Sequence, residues 1–121
     1  MRVILCGRHV DAVRVPAHAG PDLAVALAAA GGHGPVLADP YSGVWHLLTA
    51  PGTMESGPWA GAGIRLLRPG TRLTIPAADV TPGKDLYWYV PPGGGVTTAS
   101  QLTAVLSAAA GLSMSQPGAD R

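Results

Sequence analysis

Side chains able to do chemistry are few in this chain and unevenly placed. Arg65, Arg68 and Arg72 form its one basic cluster. Guanidinium forks so placed would grip a phosphate or a nucleic-acid strand, although charges on a solvated sheet face also discourage edge pairing. His46 stands within the apolar run Val44 to Thr49, where a histidine is either a hydrogen-bonded structural residue or a catalyst. His9, His18 and His33 fall in predicted turns or caps without ligand spacing, so no zinc site is expected. Carboxylates are scarcer. Glu55 is the one glutamate, and Asp11, Asp22, Asp39, Asp79, Asp85 and Asp120 form no D-x-D or D-x-E pair, whereas a two-metal phosphoryl-transfer site needs paired carboxylates. Asp79 and Asp85 flank a turn and read as solvated. Gly93-Gly94-Gly95 lacks the lysine and hydroxyl of a P-loop, no serine sits in a nucleophile elbow, and Cys6 has no activating partner. No catalytic residue, metal or cofactor is expected.

Two aromatic features add to this. Alternation puts Tyr87 and Tyr89 on one strand face, with Leu86, Trp88 and Val90 on the other. Beside the arginines the tyrosines would make a stacking platform for bases, and sheet packing explains them equally. Trp59 lies in the Gly- and Pro-rich loop Ala50 to Ala62, either tucked back as an apolar anchor or, with Met54, forming a contact surface for a partner.

The elements that must position these residues are short. Strands are predicted over Val3 to Cys6, Asp11 to Val15, Pro35 to Ala38, Val44 to Thr49, Ile64 to Leu67, Leu73 to Ile75 and Leu86 to Val90. The clearest hairpin turns at Asp39-Pro40-Tyr41-Ser42-Gly43. Its second strand carries Val44, His46 and Leu48 on one face. On the next strand Arg65 lies opposite Ile64 and Leu66. A first helix, Pro21 to Ala30, would bury Leu23, Ala26, Leu27 and Ala30. A second begins at a Thr98/Gln101 capping box, lines one face with Leu102, Val105, Leu106 and Ala109, and ends at Gly111. The expected fold is α+β, a small mainly antiparallel sheet with two helices packed on one face. One domain, residues 1–112, would be followed by a flexible tail, 113–121.

Composition bounds the function. Hydrophobic residues make up 47% of the 121 and charged residues 12%, which excludes charge-driven disorder. A net charge of +1 argues against strong sequence-independent attraction to phosphate backbones. With Cys6 the only cysteine, no internal disulfide can form. No segment has the apolar length of a signal sequence or membrane span, so a cytoplasmic protein without membrane association is expected.

Ser42-Gly43-Val44-Trp45-His46-Leu47-Leu48 resembles the SGG-x-H-hydrophobic motif of the bifunctional DNA primase/polymerase (prim-pol) domain, in particular of the short actinobacterial proteins related to it. Gly63-Ile64-Arg65 through Leu86-Tyr87-Trp88 resembles that family's following block, and Val10 to Gly20 stands where its first metal-binding strand is expected. The likeness runs from about Asp11 to Gly95. It implies a prim-pol-like fold in which His46 contacts a nucleotide's phosphates. The departures lie at the metal ligands: Ala12-Val13-Arg14-Val15-Pro16 replaces the Asp-x-Asp strand, and Arg65 stands where an aspartate would follow Gly-Ile. A cation there repels Mg²⁺. The expectation is therefore a non-catalytic relative, regulatory in role, that binds a nucleotide or single-stranded nucleic acid through Ser42, His46, Arg65 and Arg72. Two rivals stand beside it. One is a scaffold for a protein partner or homodimer, using Trp59; the other is an enzyme with residual nucleotidyl transfer.

Overall fold

A computed structural model describes residues 2–55, 57, 59–61, 63–77 and 86–115. The turn carrying Asp79 and Asp85 and the last six residues of the expected tail lie outside them.

Among the described residues, seven strands and two helices follow one another as β1 (Arg2–Leu5), β2 (Asp11–Pro16), a 3-10 turn (Ala17–Ala19), α1 (Gly20–Ala29), β3 (Val36–Asp39), β4 (Val44–Thr49), β5 (Arg65–Leu66), β6 (Arg72–Ile75), β7 (Tyr87–Val90) and α2 (Ala99–Ser115). Five strands form a sheet in the order β5-β2-β4-β3-β7, and β1 pairs with β6 in a separate ribbon. Every ladder is antiparallel. The expected class, α+β with two helices on a mainly antiparallel sheet, is the class observed.

Strand alternation sends side chains of the large sheet to two cores. Val13, Val15, Val36, Ala38, Trp45 and Leu47 face the helices and meet Leu23, Leu27, Leu102 and Leu106. Ala12, Leu37, Leu48 and Trp88 face the other way and meet Ile4, Cys6, Leu73 and Ile75 of the ribbon and its flank. A two-stranded ribbon cannot cover five strands. The part left open is the floor of the cleft described below.

The hairpin forms as expected: Asp39 pairs with Val44, the Ser42 N–H donates to Asp39 Oδ1 at 3.2 Å, and Gly43 adopts the positive φ of 72° that closes such a turn. The capping box of α2 is also present, with the Gln101 N–H donating to Thr98 Oγ1 and the Thr98 N–H to Gln101 Oε1.

Four expectations need correction. α2 passes through Gly111 and runs to Ser115, because one glycine costs a helix only about 1 kcal/mol. The buried stripe of α1 is Gly20, Leu23, Ala24 and Leu27, with Ala26 and Ala30 exposed. Its period starts at Gly20, which lies against the Trp45 indole so closely that a Cβ there would come within 2.3 Å of the ring. Of the two readings of Trp59, the apolar anchor is the one observed: Trp59, 3% exposed, and Met54 belong to the helix-side core, and the contact-surface alternative is the one corrected. Cys6 leaves the first strand and makes a single bridge to Val10.

Candidate functional site

The open part of the sheet forms a cleft of about 470 Å³ whose lining includes Arg14, Asp39, Ser42, His46, Arg65, Arg68 and Arg72. Four of the basic residues among the described positions, Arg14, Arg65, Arg68 and Arg72, line it. Strand register explains the convergence. Arg65 of β5 pairs with Arg14 of β2, and Arg14 pairs with His46 of β4, so three basic side chains stand in a row across adjacent strands, spanning about 10 Å. Arg72, Leu73 and Thr74 of the ribbon supply the facing wall.

Like charges directly opposite one another destabilise a sheet. The Arg14/Arg65 pair carries that penalty, and an anion between the two strands would relieve it. Among the described residues one carboxylate, Asp39, lines the cleft, and its Oδ1 already accepts the Ser42 N–H.

His46 lies at the base of this cluster and is 7% exposed. Its Nδ1 is buried and hydrogen-bonds to no protein group. Burial lowers its pKa from 6.5 to about 4, the Arg14 charge adds to the effect, and Asp39 opposes it. The imidazole is therefore neutral at pH 7, with a polar edge that this fold leaves unmatched. Buried polar atoms are usually paired, so an orphan at the base of a cationic cleft marks a position for a ligand atom.

All four residues expected to contact phosphate, Ser42, His46, Arg65 and Arg72, line this one cleft. Arg14 is the member that sequence reasoning missed. Alternation already set it opposite Val13 and Val15, but only the β2–β4 and β2–β5 registers bring it between His46 and Arg65.

The tyrosine platform is not part of the site. Tyr87 pairs with Ala38 and packs against the helix-side core. Tyr89 falls at a register shift in the β3–β7 ladder and packs on Trp45, ring centroids 4.6 Å apart at 46°. Both lie on the helix face, away from the arginines. Asp11 also points to that face by its parity with Val13 and Val15; its Oδ1 accepts the Gly52 N–H at 2.9 Å and its Oδ2 the Met54 N–H at 2.8 Å. It holds a loop and does not reach the cleft.

No group of three or more potential metal ligands occurs among the described residues, and no described helix is long and apolar enough to cross a membrane. No protein family, curated protein or solved structure matches the chain.

Proposed function

We propose that the chain is a non-catalytic, prim-pol-like domain that binds the phosphate of a nucleotide or nucleic-acid strand in the sheet-face cleft and serves a regulatory role. The carrying observation is that Arg14, Arg65 and Arg72 line one cleft together with the unmatched, buried His46. Guanidinium groups hold phosphate by charge-assisted, often bidentate hydrogen bonds. Placed where metal-holding carboxylates would be needed, they favour direct capture of the anion over Mg²⁺-mediated chemistry. The rival scaffold for a protein partner or homodimer loses the surface assigned to it, since Met54 and Trp59 are buried.

A thermal-shift titration with inorganic pyrophosphate, nucleotides and short single-stranded DNA tests this, with and without Mg²⁺. A ligand at 100 times its Kd stabilises the fold by about 2.7 kcal/mol. The expected result is a shift that needs no Mg²⁺ and disappears in Arg14→Ala and Arg65→Ala. A Mg²⁺-dependent shift would return the chain to the enzymes, and no shift with any anion would remove the site.

A further inference from the structure

We propose that the cleft selects a terminal phosphate, as in a phosphomonoester or the end of a polyphosphate, over the phosphodiester of a continuous strand, and that His46 makes the distinction. This rests on the anion-binding reading above and narrows its ligand class.

The first support is the arrangement of charge. A strand carries single negative charges along its length, and proteins that follow one do so with basic groups strung along a groove. Here Arg65, Arg14 and His46 stand side by side across three strands, and Arg72 of the ribbon lines the same cleft. That geometry gathers the arginines of three strands within one short cleft instead of along a groove. It suits one group of high charge.

The second support is the state of His46. The charged groups that line the cleft with it are Arg14 from β2, Asp39 from β3, Arg65 from β5, Arg68 from the β5–β6 connection and Arg72 from β6, so cations outnumber the carboxylate among the described residues; Arg14 and Asp39 are the two whose charges act on the imidazole. The neutral imidazole has a buried Nδ1 without a protein partner. A phosphomonoester titrates with a second pKa near 6. It can bring a hydrogen to the imidazole nitrogen that carries none, or, as a dianion, stabilise the imidazolium that burial and Arg14 otherwise oppose. A phosphodiester has no such hydrogen and one charge fewer. Binding of the monoester at pH 7 therefore takes up a proton, which ends shared between phosphate oxygen and imidazole nitrogen.

The test uses the full chain, a nucleoside 5′-monophosphate and its methyl ester, by calorimetry at pH 6 and pH 8 in buffers of different ionisation enthalpy. A charge-assisted hydrogen bond lost from the diester predicts that the monoester binds about tenfold or more tightly at pH 6. The preference narrows at pH 8, and the heat reveals proton uptake for the monoester alone. His46→Gln brings the monoester-to-diester ratio close to one and removes the proton uptake. Equal affinities in the unsubstituted chain, or tighter binding of an oligonucleotide lacking terminal phosphates, overturn the selectivity but leave the anion site intact. If pyrophosphate, monoester and diester all fail to bind, the anion site itself is wrong.

Discussion

Burial in this fold alters the ionisation of His46, and the alteration has a definite sign. Its folded pKa of about 4 lies below the 6.5 of an unperturbed histidine. Between those values the unfolded chain binds a proton that the folded chain refuses. The stability tied to neutral His46 is complete above about pH 6.5, falls with pH, and stops falling below about pH 4 after a loss of about 3 kcal/mol. Urea unfolding across that window should show the decline, and His46→Gln should flatten it. If the decline is the same in the variant, other groups cause it. Only part of this was legible in the sequence. The position of His46 on the strand face opposite Trp45 and Leu47 followed from alternation, whereas its burial and its neighbour Arg14 depend on a register between strands separated by a helix and a hairpin.

Among the elements, the loop after β4 is fixed from a distance. Asp11 on β2 receives the N–H groups of Gly52 and Met54, and Met54 then enters the core. Asp11→Ala would leave the buried Met54 donor unmatched and the Gly52 donor dependent on water, a loss of about 2–4 kcal/mol. Asp11→Asn, which keeps one acceptor, should lose less. Denaturant midpoints for the two variants check the ranking. This tie was illegible in sequence because its partners lie some forty positions apart, while the capping box of α2 was legible because it is local. Gly20 shows the intermediate case. Its helix was readable, but the stripe that begins at a glycine was not, since an apolar pattern has no mark for a residue buried by its lack of a side chain. Gly20→Ala should destabilise despite alanine's better helix propensity, by about 1–3 kcal/mol, because the Trp45 ring must move.

Across the whole molecule, function and stability oppose each other at the cleft. The Arg14/Arg65 pairing raises the free energy of the unliganded fold and prepares it for an anion. Arg65→Gln should therefore raise stability by about 0.5 kcal/mol at low ionic strength, with the gain shrinking as salt screens the pair, while pyrophosphate affinity falls. Unfolding measured at low and high sodium chloride, beside a pyrophosphate titration, separates the effects. A variant that loses both stability and affinity would mean that Arg65 is chiefly structural. The layout that creates this opposition also orders events in time. One wall of the cleft belongs to the ribbon, where Leu5 pairs with Arg72 and Arg2 with Ile75, contacts that close a loop of more than half the chain. Such long-range closures are entropically late and slow. The hairpin of β3 and β4 can present His46 early, but its arginine-lined recess exists only once the two distant segments have met, so a nascent chain acquires its binding capacity at the end of folding.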